Sequence, residues 1–272
     1  MALLHINFFS DSLKRTVPLH VILPADKVGP SGLMPIPEKG YKTLYLLHGL
    51  FGNYTDWLYN TRIKQWAEER DLAVVMPAGD NSFYIDRPFP GNQYGQFVGQ
   101  ELVEITRRMF PLSRQREDTF IAGLSMGGYG AIRNGLVYAE NFGYIAGFSS
   151  AVHILEQPPE TPGRVIMSED SVFGDYSEAV KSNKNPRVAL LNLLREGRPV
   201  PNIYMSCGLQ DSLLTANRTL RDYFTEKGVE LTYVEKDGDH NWDFWNDQIR
   251  EILDWLPLDR ANAGLSSGNV KV

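Results

Sequence analysis

The chain has 272 residues, a length that suits one α/β domain. Hydrophobic residues make up 43% and charged residues 22%, which excludes a disordered chain and supplies a large core. The formal net charge of −6 leaves no basic surplus for a phosphate backbone, so nucleic acid is not an expected partner.

The one cysteine, Cys207, excludes an intrachain disulfide and a cysteine-based zinc site. It lies in the apolar run NIYMSC and reads as a small core residue. The N-terminus, MALLHINFFSDSLKR, lacks a basic segment and alternates like a strand, so it does not read as a secretion signal. No run approaches the ~18 apolar residues of a membrane span. The expected compartment is therefore the cytoplasm, with no membrane partner.

Two strand-like runs open the chain, Leu3–Phe9 and Val17–Pro24, followed by a Pro/Gly-rich edge loop, PADKVGPSGLMPIPEKG. A rhythm then begins. KTLYLLHG reads as a buried strand, WLYNTRIKQWAEER as a helix, LAVVMPAGD as a strand and YGQFVGQELVEITRRMF as a helix. DTFIAGLS, MGGYGAIRNGLVYAE and YIAGFSS repeat the pattern as strand, helix and strand. From Ala151 to about Arg187 the rhythm breaks, with Pro158, Pro159, Pro162, Gly163 and Gly174, and this stretch reads as a cap insertion. NIYMSCG, LLTANRTLRDYFTEKG, VELTYVEKDG and NWDFWNDQIREILDWL then resume strand, helix, strand, helix. Strands alternating with helices predict a mostly parallel central sheet with helices on both faces. The reading is one domain over 1–257, a cap at about 151–187 and a polar tail at 258–272 that frays.

Gly123-Leu124-Ser125-Met126-Gly127 carries the chemistry. G-x-S-x-G between a strand and a helix holds a serine on a strained turn, with glycines where side chains would clash. The turn also sets Ser125 at the positive end of a helix, which favours developing negative charge. A serine hydroxyl is a weak nucleophile and needs an oriented base. In this arrangement the chain order is serine, acid, histidine. Of His5, His20, His48, His153 and His240, only the last two follow Ser125. His153 follows too soon to leave room for an acid, so His240, in the loop after the last strand, is the expected base. Asp211, after the penultimate strand, is the expected acid, with Asp237 and Asp239 as rivals beside His240. The oxyanion hole needs two backbone N–H donors, expected from Met126 and from Leu50 in the loop HGLFG. His48 reads as a residue that holds this loop by hydrogen bonds.

The blocks LLHGLFGNYTDW, VVMPAGDNSFY, FIAGLSMGGYGA, CGLQD and DHNWDFWNDQI resemble the esterase D and tributyrin esterase family, which also holds S-formylglutathione hydrolases and feruloyl or acetyl-xylan esterases. The resemblance runs from about Leu3 to Pro257. It implies an α/β-hydrolase fold and cofactor-free, metal-free ester hydrolysis. The nucleophile, acid and base map to Ser125, Asp211 and His240, and the oxyanion donors to Leu50 and Met126. S-formylglutathione hydrolases usually carry a cysteine in the loop after the early strand. Here GLFGNYTDW has none, which favours a short-chain carboxylesterase acting on small-molecule esters. A feruloyl or acetyl-xylan esterase, an S-formylglutathione thioesterase, an acyltransferase and a catalytically dead binding module are the rival readings.

Phe51, Trp57 and Trp242 are candidates to line the substrate, and Tyr54, Phe83 and Tyr84 lie on loops near the expected site. Glu101 sits on a helix in a position resembling a glutamate of that family, with one half of an ordinary ion pair as the plainer account. The sequons at Asn53 and Asn217 read as chance matches. A homo-oligomer is compatible with everything in the sequence.

Overall fold

The computed structural model describes residues 1–29, 31–156 and 172–259. Eight strands form the main sheet: β1 (Ala2–Ser10), β2 (Arg15–Leu23), β3 (Lys42–Leu47), β4 (Leu72–Pro77), β5 (Thr119–Leu124), β6 (Tyr144–Phe148), β7 (Asn202–Gly208) and β8 (Leu231–Lys236). Their spatial order is β1-β2-β4-β3-β5-β6-β7-β8. The hairpin β1–β2 is antiparallel and β2 meets β4 antiparallel, while all later neighbours are parallel. The central strands are apolar throughout because both faces are covered. Along β3, Leu44 and Leu46 enter one core and Tyr45 and Leu47 the other, the two-residue period of a strand.

Nine helices are described: α1 (Asp56–Asn60), α2 (Ile63–Glu68), α3 (Tyr94–Gln96), α4 (Leu102–Met109), α5 (Met126–Val137), α6 (Tyr176–Lys181), α7 (Pro186–Arg195), α8 (Leu214–Glu226) and α9 (Trp242–Trp255). The first core joins α3, α4, α5, α7 and α8 to one sheet face, and the second joins α1, α2 and α9 to the other. The chain leaves β3 toward β4 and returns on the opposite side of β3 as β5. This reversal opens a crevice at the carboxyl ends of the strands.

Three elements differ from the sequence reading. WLYNTRIKQWAEER is two helices, not one. The Thr61 hydroxyl donates to Trp57 O and accepts from Ile63 N–H, ending α1 and opening α2. The helix from Tyr94 to Met109 is interrupted by a π-helical turn, Phe97–Glu101. Helix α7 was not anticipated, although Asn185 caps it, Pro186 occupies its first turn and Gly197 follows it at φ 64°. The centre of the cap, 157–171, and the tail from 260 onward lie outside the described residues. The described flanks of the cap are a 3-10 turn, Val152–Leu155, and α6. Its far flank is hooked to α5: Arg133 donates to Asn183 O and Oδ1, and Tyr129 OH to Lys184 O. Its near flank is held by Asn217, whose side chain exchanges hydrogen bonds with the Ser150 backbone.

The edge loop is fastened by Lys27, whose buried ammonium donates to Glu68 O and Asp71. Among the described residues no helix is long and apolar enough to cross a membrane. The ion pair expected at Glu101 is replaced by a turn clamp. Its carboxylate accepts from Ser10 Oγ at 2.7 Å, Asp11 N at 2.6 Å and Ser12 N at 3.1 Å. Glu101→Ala leaves these donors without their charged acceptor, and urea unfolding is expected to register a loss of about 1–3 kcal/mol. A change within about 0.5 kcal/mol, the range of an ordinary surface substitution, would contradict the clamp.

Candidate active site

The strand β5 ends at Leu124 and α5 begins at Met126, so the reversal falls on Ser125 alone. Its φ of 52° and ψ of −116° form a conformation that L-residues rarely adopt, at a cost of about 1–3 kcal/mol. Three backbone hydrogen bonds hold it there. Ser125 N–H donates to Phe148 O at 2.9 Å, and Ser125 O accepts from Tyr129 N and Ala151 N at 3.0 Å each. The flanking glycines answer a close approach. A Cβ at Gly123 would lie 2.4 Å from Gly127 O, and one at Gly127 would lie 2.5 Å from both Leu47 O and His48 O. The start of α5 is thereby packed directly on the end of β3.

The structure brings Ser125, Asp211 and His240 together from loops 29 and 115 residues distant from His240 in sequence. His240 Nε2 is 3.0 Å from Ser125 Oγ, and His240 Nδ1 is 2.9 Å from Asp211 Oδ2. The second carboxylate oxygen of Asp211 accepts from Leu213 N–H at 2.8 Å. The rival acids are engaged elsewhere: Asp237 accepts from Gln210 Nε2, and Asp239 accepts from the His240 backbone N–H rather than from the ring. The Asp211 side chain is 0% exposed, that of His240 32%. Burial pushes the Asp211 carboxyl up, but hydrogen bonds, led by that to His240, outweigh it and hold the pKa below its usual value. Its ionised form therefore adds stability above the ordinary carboxylate range, and this is lost as pH falls through the lowered value.

Beside Ser125, the loop His48–Gly52 closes the crevice. His48 is buried, and burial keeps its pKa down and its ring neutral. Its Nδ1–H donates to Gly49 O, which leaves Nε2 to accept from Gly79 N–H at 2.9 Å. Tyr84 OH donates to His48 O, and Phe51 N–H to Asn81 Oδ1. Leu50 N–H has no acceptor among the described residues. Met126 N–H is the first amide of α5 and has no carbonyl one turn earlier to meet. Both expected oxyanion donors thus remain unspent among the described residues.

The aromatic candidates divide. Phe51, at φ 64°, is 65% exposed. Trp57 is a correction. It is 1% exposed, and its Nε1–H donates to Leu47 O at 2.9 Å, so it packs beneath the surface and cannot wall a substrate. Trp242 rests edge-to-face on both Trp57 and Trp245. Phe83 and Tyr84 are buried, and Tyr54 packs on His5 and His20. Asn217 is fully buried, so its sequon is structural. Sequence reasoning missed a cleft of about 870 Å³ between the cap and α8, lined by His153, Glu156, Arg187, Ser212, Leu213 and Thr215 among others. Burial, then the charge of nearby His240, pushes the pKa of His153 down. The one available signal was the length of the insertion after Ala151.

Among the described residues no group of three or more His, Cys, Asp or Glu could hold a metal ion. Burial pushes the Cys207 thiol up to about 12, as befits a core thiol.

A serine on a strand-to-helix turn, in hydrogen-bond reach of a histidine that is itself bonded to a buried aspartate, is the geometry that serine hydrolases of the α/β-hydrolase fold use. The comparisons agree. A family model described as putative esterase matches residues 10–256. The chain is 41% identical over 261 residues to an acetyl esterase of Caldicellulosiruptor saccharolyticus, covering 94% of this chain and 98% of that protein. Among solved structures, it is similar to a substrate-bound fluorophosphonate-binding serine hydrolase of Staphylococcus aureus, with TM-score 0.81 and 30% identity over 94% of this chain and 98% of that one. An S-formylglutathione hydrolase of Staphylococcus aureus superposes with TM-score 0.79 and 28% identity over the same shares. The chain belongs to the putative esterase family and is a serine carboxylesterase.

The packing of α5 on β3 is open to a direct check. Gly127→Ala must separate them, and hydrolysis is expected to fall by about 10²-fold or more because Ser125 moves with α5. Thermal melting and ester turnover measured together decide it. A variant with native melting and native turnover would show that the close approach is not required.

Proposed function

We propose that the protein hydrolyses short-chain acyl esters through an acyl-enzyme on Ser125. The observation that carries this reading is the unbroken line from Ser125 Oγ through His240 to Asp211, at 3.0 and 2.9 Å. His240 Nε2 takes the hydroxyl proton as Oγ attacks the ester carbonyl, while Asp211 fixes the tautomer and stabilises the imidazolium. Leu50 and Met126 N–H groups receive the oxyanion. The alcohol leaves with the proton from His240, and water activated by the same ring releases the acid.

The preference for short acyl groups is supported by the 41% identical relative, an acetyl esterase. The loop GLFGNYTDW, without cysteine, separates this chain from the S-formylglutathione hydrolase pattern. The cap around 151–187 is read as a cover for a small acyl pocket within a single domain over 1–257.

Ser125→Ala and Asp211→Asn are each expected to lower turnover by about 10⁴-fold without unfolding the protein. Asp237→Asn and Asp239→Asn are expected to cost far less, and a reversed ranking would move the acid elsewhere. An aryl-ester series from acetate to palmitate tests the acyl preference, with formyl-glutathione and a feruloyl ester included. Rate should rise by burial of about 0.8 kcal/mol per methylene only until the pocket fills, then fall beyond butyrate. A maximum at dodecanoate or longer would sink the short-chain reading, and a dominant rate on formyl-glutathione or the feruloyl ester would reassign the substrate.

A further inference from the structure

Two hydrogen bonds hold the His240 imidazole, yet neither fixes the ring against swinging about the line between its partners. The ring belongs to a loop between β8 and α9 and is a third exposed. A third constraint comes from Trp245, whose ring meets that of His240 at 4.9 Å between centroids and 88° between planes. Trp245 in turn meets Trp242 at 5.4 Å and 88°, and Trp242 meets Trp57 at 5.2 Å and 89°. The far end of this ladder is pinned twice. Trp57 Nε1–H donates to Leu47 O at 2.9 Å, and the Trp57 ring packs on Phe148 at 6.1 Å. Leu47 is the last residue of β3, directly before the loop that carries Leu50. Phe148 O is the acceptor that holds Ser125 N–H.

We propose that Trp57, Trp242 and Trp245 are positioning residues that index the His240 ring to the oxyanion loop and the nucleophile turn. The inference rests on the reading of His240 as the base. Edge-to-face packing suits the task, because each large rigid ring has a preferred geometry against the next. Trp245 also carries a sign that its ring is retained for its position. Its Nε1–H is buried without a hydrogen-bond partner among the described residues, a desolvation cost that a hydrocarbon ring would avoid. With the ring plane set, His240 can meet Oγ, Asp211 and the departing alcohol in turn without losing alignment.

The test uses the intact chain. Trp245→Leu, Trp245→Phe, Trp57→Phe and the double variant Trp57→Phe/Trp245→Leu are compared by kcat and KM for p-nitrophenyl acetate across pH, with melting curves recorded alongside. Trp245→Leu is expected to lower kcat between about ten- and a hundredfold, the scale of a misplacement near 1 Å, with KM within about threefold. It should also displace the acid limb of the kcat/KM profile. Trp245→Phe keeps a ring against His240 and should recover most of kcat. Trp57→Phe loses the bond to Leu47 O, and its effect should combine with that of Trp245→Leu less than multiplicatively, because both break one ladder. Should Trp245→Leu fail to fold, Trp57→Phe carries the test, and unchanged kcat and pH profile in it would overturn the proposal. A Trp245→Leu variant with native kcat and an unmoved acid limb overturns it, as does equal damage from leucine and phenylalanine. His240→Ala, run in parallel, separates the two failures: if it too retains full turnover, the assignment of the base falls and not merely its positioning.

Discussion

The constraint on which the site depends is the seating of α5 on the end of β3, where Gly127 leaves no room for a side chain against the carbonyl oxygens of Leu47 and His48. This approach brings the amide end of a helix against the loop His48–Gly52. It also leaves one residue, Ser125, to absorb the whole change of direction from β5, and the backbone conformation it adopts is strained for that reason. Surrounding bonds to Phe148, Tyr129 and Ala151 over-determine the turn, so the strain persists in the folded protein. Expelling the serine from the sheet plane and forming the cradle beside it are one event.

The electrostatics are arranged around the same point by neutral and charged partners of different kinds. Asp211 is buried and ionised, stabilised by hydrogen bonds that outweigh its desolvation. His48, equally buried, is kept neutral and works as a bracket, donating on one side and accepting on the other. Two histidines beside one serine thus perform unrelated work. Burial keeps His48 from charging, since a ring sealed from water resists a proton.

Much of this was legible in the chain. The period of the apolar residues set the alternation of strands and helices, and the glycines around Ser125 marked the turn. Chain order separated His240 from His48 and His153. Asp211 was chosen for its loop after the penultimate strand and because a carboxylate beside the histidine in sequence folds back onto its ring awkwardly; in the structure Asp211 meets the ring and Asp239 bonds the His240 backbone N–H. What the sequence hid was contact at a distance. Trp57 carries the same letters whether it faces a ligand or a core, and its burial follows from α1, α9 and β6 converging on it. Glu101 resembled a family glutamate, yet its partners could not be named and an ion pair was the plainer account, because the donors it binds lie 89 to 91 residues earlier. The break at Thr61 depends on one hydroxyl choosing two backbone groups, which periodicity does not record. Helix α7 was signalled by its cap and its proline, but it was masked by the irregular stretch before it.

The clamps at the two flanks of the cap have a consequence for how such a protein diversifies. Asn217 grips the chain at Ser150, and Arg133 grips it again at Asn183. Both gripping side chains are buried and belong to helices of the main body, α8 and α5. The chain between the grips is therefore a cassette with fixed sockets. Lengthening a closed segment costs only slowly, by about 0.6 kcal/mol for each doubling, when its ends are already held. Changes of length beyond Ala151, whose N–H holds Ser125 O, leave the grips at Ser150 and Asn183 and the turn at Ser125 where they are. The anchorage of this stretch and the geometry of the strand-to-helix turn are in this way carried by separately mutable parts of one polypeptide.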